Sequence, residues 1–143
     1  MTGWQPAFVV SCETISGIEF IMKSILLVED ERELIELMGA MLEDEGYGIR
    51  RAMSGEEAVR LCREKMPDLI ISDVKMGEMD GFTMIETIHG MAKTKNIPFI
   101  FLTALDESFG GGKAKTLGAT AYITKPFETD DLLQRVKQIL PLS

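Results

Sequence analysis

Four apolar runs in this chain end abruptly in a side chain that can do chemistry. Glu29-Asp30 follow Ile25-Leu26-Leu27-Val28, and Asp73 follows Leu69-Ile70-Ile71-Ser72. Thr103 follows Phe99-Ile100-Phe101-Leu102, and Lys125 follows Tyr122-Ile123-Thr124. Taken singly, each has a bland reading: a carboxylate as a loop cap, a threonine as an ordinary strand residue. Taken together they are three acids, a hydroxyl and an ammonium. Three carboxylates within a few ångströms repel one another, and such a cluster persists when a hard divalent cation neutralises it. Mg²⁺ fits best, with Mn²⁺ as an alternative, because it accepts one or two carboxylates and keeps sites for phosphate oxygens. Lys125 and Thr103 then offer a phosphoryl group a positive charge and a hydrogen-bond donor. Asp73 becomes a nucleophile able to form an acyl phosphate.

These groups meet only if the elements carrying them are arranged side by side. "SILLVE" (24–29) reads as a buried strand. Leu34, Met38, Met41 and Leu42 then fall on one helical face, with Gly46 as the stop. "GIRRA" (48–52) reads as an edge strand because of its two arginines. Ser54 and Glu57 have capping-box spacing, and Val59, Cys62 and Met66 form a stripe that ends at Pro67. A strand over 68–73, a helix over about 81–92, a strand over 97–103, a weak helix over roughly 106–117 and a strand over 120–124 follow. A last helix from about Thr129 carries Leu132, Leu133, Val136, Ile139 and Leu140. Strand and helix alternate five times, which predicts an α/β protein with a parallel sheet covered on both faces. In such a sheet, functional groups gather beyond the carboxyl ends of the strands, at a topological switch point. All five candidate side chains stand at those ends.

Composition narrows the class. The chain has 143 residues, 45% hydrophobic and 27% charged, enough for one domain with a core. A formal net charge of −8 argues against direct binding to nucleic acid. Two cysteines without a CxxC are too few for a disulfide scaffold or a zinc site and suit a reducing compartment. No stretch approaches the roughly 20 apolar residues of a membrane span. The N-terminus lacks the positive charge of a secretory signal, so a cytoplasmic location is expected. Residues 1–21 stand outside the strand–helix alternation and read as an N-terminal extension. They are either dispensable or an added arm that packs on this domain or on a neighbouring copy.

"ILLVEDE", "DLIISDVKM", "MDGF", "FLTA" and "YITKPF" together resemble the receiver domain of two-component response regulators, in order and spacing, over residues 22–143. The resemblance implies a doubly wound, flavodoxin-like (βα)5 sheet of order 2-1-3-4-5. It implies Asp73 as phosphoacceptor, Asp30 as a direct metal ligand, and Glu29 acting on the metal through water. It assigns the backbone carbonyl of Lys75 to the metal, Thr103 and Lys125 to the phosphoryl group, and Thr103 and Tyr122 to switching. A half-buried packing role for Tyr122 is compatible with that. Lys75 and Leu105 flank the line along which water would attack an acyl phosphate. Neither orients water as an amide or carboxylate could, so slow self-dephosphorylation is expected. The implied partners are a sensor histidine kinase or phosphotransfer protein and a downstream protein target, read on the face of the fourth helix, fifth strand and fifth helix. The chain would be a monomer or a phosphorylation-dependent dimer. The last helix ends near the end of the sequence, so no output domain is expected here.

This sequence departs from the family pattern twice. Gly77 stands where the family usually has proline, which predicts a looser loop after Asp73. Gly110, Gly111 and Gly112 fall inside the fourth helix, each costing about 1 kcal/mol against alanine.

Other readings are weaker. An aspartyl-phosphate hydrolase resembles "DxDxT", and here Asp73 is followed by Val74-Lys75-Met76. A phosphorylation-independent adaptor would lack an acid or the lysine. A flavin protein would need a hydroxyl- and glycine-rich loop after the first strand, where this chain has "EDERE". Beyond self-phosphorylation and self-dephosphorylation, no enzyme activity is expected. His89 reads as a solvated surface residue, Cys62 as core, and the methionines as core filler, with Met38 and Met41 as possible partner contacts.

Overall fold

A computed structural model describes residues 22–91, 96–104 and 118–142, and the backbone of 14–15 and 18–19. Its main body is one five-stranded parallel sheet. The strands are β1 (Ser24–Val28), β2 (Gly48–Ala52), β3 (Leu69–Asp73), β4 (Phe99–Ala104) and β5 (Ala121–Lys125). The helices among the described residues are α1 (Arg32–Glu45), α2 (Gly55–Glu64), α3 (Gly81–His89) and α4 (Thr129–Ile139). Strand order is β2-β1-β3-β4-β5, the order expected. The anticipated helix over 106–117, with its three glycines, and Leu105 lie outside the described residues.

The period-two alternation of the strands sorts the core into two layers. Ile25, Leu27, Leu69, Ile71, Ile100 and Leu102 face α1 and α4. Leu26, Val28, Ile70, Phe99 and Phe101 face α2 and α3. The central strands are therefore apolar on both sides, and Leu69–Asp73 is buried throughout.

Local signals set the helix ends. Gly46 adopts φ 111 and stops α1, since only glycine enters that region freely. Ser54 Oγ accepts from Glu57 N at 3.1 Å, while the Glu57 carboxylate accepts from Met53 N at 2.9 Å. The capping box thus closes one residue before the cap itself. Asp80 caps α3 by accepting from Thr83 N at 2.8 Å. The edge position of β2 is as expected, and its two arginines have separate tasks. Arg50 donates to the carbonyls of Leu61 and Lys65, closing the end of α2. Arg51 reaches Glu36 and Glu43 on α1.

Three expectations need correcting. Met66 is not part of the α2 stripe: the helix stops at Glu64, which turns Met66 out to 46% exposure. The buried stripe of α1 is Ile35, Met38, Gly39 and Leu42, rotated from the one expected, and Met38 is sealed in the core away from any partner. His89 is half-buried, not solvated. Its ring packs edge-on against Phe99 at 5.1 Å, and Nε2 lies 3.1 Å from the Ile97 carbonyl oxygen.

Thr14–Ile15 and Ile18–Glu19 form a separate two-stranded antiparallel ribbon within the N-terminal extension.

Candidate functional site at the carboxyl rim of the sheet

Register brings the candidate residues to one level. Val28 pairs with Ser72, so Glu29 and Asp73 are the next residues on adjacent strands. Asp73 pairs with Leu102, which places Thr103 one step beyond it on β4, and Ala104 pairs with Lys125. Parallel strands all end on the same side, so three acids, a threonine and a lysine share the rim.

Their contacts are tight. Ligand oxygens of Glu29, Asp30 and Asp73 lie within 4.8 Å of one another. Lys125 Nζ stands 3.0 Å from Asp73 Oδ2 and 3.2 Å from Glu29 Oε1. Glu29 is fixed from its other side, because Oε2 accepts from Glu31 N at 3.1 Å. Glu29 is 1% exposed and Asp73 9%, whereas Asp30 is exposed. Thr103 is buried at the end of β4. Lys75 is exposed in the loop after β3, and Tyr122 on β5 is 40% exposed.

The electrostatics follow from burial. Burial and the neighbouring Asp73 raise Glu29 above the usual carboxylate range. Burial also raises Asp73, against the opposing pull of Lys125. For Lys125 burial pulls downward, but Asp73 and Glu29 together outweigh it and raise the ammonium. One lysine thus offsets only part of a three-acid cluster. Hard oxygen donors gathered with an excess of negative charge fit a divalent cation of the Mg²⁺ class.

Sequence reasoning missed the residues that support this geometry. A Cβ on Gly81 would collide with the Asp73 carbonyl oxygen and lie 3.1 Å from Val74 Cα. Glycine there lets α3 start directly against the end of β3, where Gly81 N donates to Val74 O at 2.7 Å. The Asp80-Gly81 pair at a helix start was the available signal. Ser72, fully buried, donates from Oγ to the Asp73 carbonyl at 2.8 Å. Gly77 adopts φ 32, which the proline ring cannot reach, so the loop after Asp73 takes a path that the usual family residue would not allow.

Three acids and one ammonium thus gather at the switch-point rim of a doubly wound α/β sheet, the place where proteins of this class bind ligands. Comparison with known proteins gives the family. Residues 25–137 match the response regulator receiver domain, and the chain belongs to that family, the phosphorylation-controlled switches of two-component signalling. It is 40% identical over 119 residues to the alkaline phosphatase synthesis transcriptional regulatory protein PhoP of Bacillus subtilis, covering 82% of this chain and 48% of that protein. It is 37% identical over 114 residues to a 14.6 kDa protein of Leptolyngbya boryana, covering 80% of this chain and 87% of that one. The Vibrio cholerae chemotaxis protein CheY4 superposes with TM-score 0.78 at 30% identity, covering 83% of this chain and 99% of that one. The chain spans about half the length of the Bacillus regulator. Among the described residues no helix is long and apolar enough to cross a membrane.

Proposed function

We propose that this receiver domain accepts a phosphoryl group on Asp73 from a phosphohistidine of a sensor kinase or phosphotransfer protein. A carboxylate oxygen of Asp73 attacks phosphorus, the O–P bond forms as the P–N bond to imidazole breaks, and the imidazole takes up a proton. The observation that carries this reading is the contact of Lys125 Nζ with Asp73 Oδ2 at 3.0 Å, inside a cluster of acid oxygens within 4.8 Å.

The chain's own residues divide the work. Lys125 holds Asp73 in place before transfer and is positioned to pair with a phosphoryl oxygen afterwards. Thr103 supplies a hydroxyl at the same rim. Asp30, Asp73 and the Lys75 carbonyl would hold Mg²⁺ or Mn²⁺, with Glu29 acting through water. When bound, the cation would offset the negative charge that gathers as a phosphoryl dianion approaches. Tyr122 lies on the same strand as Lys125 and lines an open cleft with Thr124, Phe127, Asp131, Gln134 and Arg135. That cleft is part of the surface we assign to the downstream protein target. Beyond its own phosphorylation and dephosphorylation the domain catalyses no reaction in this reading, and it works without direct contact to nucleic acid or membrane.

The test is incubation with a small phosphodonor and Mg²⁺, followed by intact-mass measurement. One added phosphate is expected, lost in Asp73→Asn and on chelation. Equal labelling of the variant would refute the assignment.

A further inference from the structure

The loop between β3 and α3, residues 74–80, leaves the rim directly after Asp73. Backbone bonds fix its two ends: Val74 N donates to Leu102 O at 3.1 Å, and Gly81 N to Val74 O at 2.7 Å. Gly77, in its middle, is exposed, adopts φ 32 and has nothing within 4 Å of its Cβ position. Glycine in open space restrains a loop least of all residues, so the side chains on either side must set its path. Met76 is 3% exposed and sunk in the core layer under α2 and α3. Met79 lies across Gly55, the first residue of α2. Its Cγ and Sδ are each 2.9 Å, and its carbonyl oxygen 3.0 Å, from where a Cβ on Gly55 would stand. Only glycine allows so close an approach.

The seat under Met79 is stiff and belongs to the site. Gly55 follows Ser54, whose Oγ accepts from Glu57 N at 3.1 Å, while the Glu57 carboxylate accepts from Met53 N at 2.9 Å. The carbonyl of Ala52, just before Met53, accepts from Glu29 N at 3.0 Å. The turn that bears Gly55 and the strand end that bears Glu29-Asp30 therefore form one frame, and Met79 docks the loop onto it. Lys75 stands between Asp73 and that docking point in the chain. A displaced Met79 would shift the backbone of Lys75 relative to Asp30.

We propose that Met79, seated on Gly55, is a positioning residue for the metal: it holds the loop that carries the Lys75 carbonyl against the frame that carries Asp30. This rests on the reading that Asp30, Asp73 and the Lys75 carbonyl hold a divalent cation. Filling the core is a separate task for the same side chain, and affinity for the metal tells the two apart.

The measurement is Mn²⁺ binding to the full chain, read from the electron paramagnetic resonance of the free ion, with no phosphodonor present and folding checked by far-UV circular dichroism. Gly55→Ala should push on Met79 and weaken binding about tenfold, the low end of what loss of a supporting contact costs a metal site. Met79→Ala should weaken it similarly. In the Met79→Ala background, Gly55→Ala should cost little more, because the side chain it collides with is gone. Parent-like affinity in either single variant, with only a lower melting temperature, would make the contact packing alone and overturn the proposal. Additive losses in the double variant would overturn it too. If Gly55→Ala fails to fold, Met79→Ala must bind more weakly than Met79→Leu, and equal binding would overturn the proposal. Mn²⁺ binding absent from the parent, or unchanged by Asp30→Asn, would instead remove the metal reading itself and this proposal with it.

Discussion

Asp73→Asn should raise the melting temperature of the metal-free protein, and the structure gives the size. Asp73 has two acids whose ligand oxygens lie within 4.8 Å and one ammonium at 3.0 Å. At an effective dielectric of about 20, each repulsion is worth about 3 kcal/mol or slightly more, and the attraction about 5 to 6 kcal/mol. The two repulsions exceed the one attraction by about 1 kcal/mol, and burial of the carboxylate adds to the imbalance. Lys125 keeps Glu29 at 3.2 Å when Asp73 is neutralised, so no buried charge is orphaned. A gain of about 1 to 2 kcal/mol follows, or roughly 3 to 6 °C for a domain of this size.

The direction agrees with the titration behaviour. Glu29 and Asp73 are raised in the folded state by burial, so folding favours their protonated forms. Their contribution to stability is present below the ordinary carboxylate range and is lost as pH rises through the raised values. Lys125 is also raised, and its contribution is present below the ordinary ammonium value and lost only in strong alkali. At neutral pH the acids therefore count against the metal-free fold. The assay is far-UV circular dichroism melting in chelator at low salt. Glu29→Gln and Asp30→Asn should shift in the same direction. With Mg²⁺ at about a hundred times its dissociation constant the parent should gain about 2.7 kcal/mol, and Asp73→Asn much less. A lower melting temperature for Asp73→Asn in chelator would mean that the carboxylate is a structural cap, and the reasoning would fail.

Four further outcomes are expected. Gly81→Ala should destabilise by about 1 to 3 kcal/mol, because the new methyl meets the Asp73 carbonyl and backbone gives way poorly; an unchanged melt would refute the close approach. In a Cys12→Ser background, Cys62 should resist alkylation at neutral pH until the chain unfolds, since burial pushes its thiol up to about 11; rapid labelling of the native protein would count against it. A chain starting at Met22 should still label at Asp73, because the rim is built entirely from later residues; failure to fold or to label would make the extension part of the domain. Lys75→Asn with Leu105→Glu should speed loss of phosphate relative to the parent, and a parent that dephosphorylates within seconds would refute slow turnover.

The sheet was legible because burial on both faces leaves its mark in Ile25–Val28, Leu69–Ile71 and Phe99–Leu102, apolar without interruption. The site was legible for a related reason: a charge at the end of such a run has no packing role, so Asp73 and Glu29-Asp30 stood out. What escaped was set by distances across the fold. Gly81 is required by the nearness of the Asp73 carbonyl, which no periodicity encodes. Met66 sits at stripe spacing, yet α2 closes two residues earlier, where Arg50 takes the Leu61 and Lys65 carbonyls. His89 looked polar and terminal, but Phe99 and the Ile97 carbonyl give it a half-buried seat.

The placement of Lys125 links the chemistry to a surface. At rest its ammonium is shared between Glu29 and Asp73, from a strand whose other end is tied into the sheet by Ala121 against Ile100. Converting Asp73 to its acyl phosphate would remove part of the charge that Lys125 faces there and supply phosphoryl oxygens further out. The ammonium would then follow the greater charge. Its backbone belongs to β5, which also carries Tyr122, and leads through Pro126-Phe127 into α4. Glu29 meanwhile stays held by the Glu31 amide. Under the proposed phosphorylation of Asp73, one partner of Lys125 would thus stay fixed while the other changes, so the adjustment would begin at Lys125 on β5, beside the open cleft.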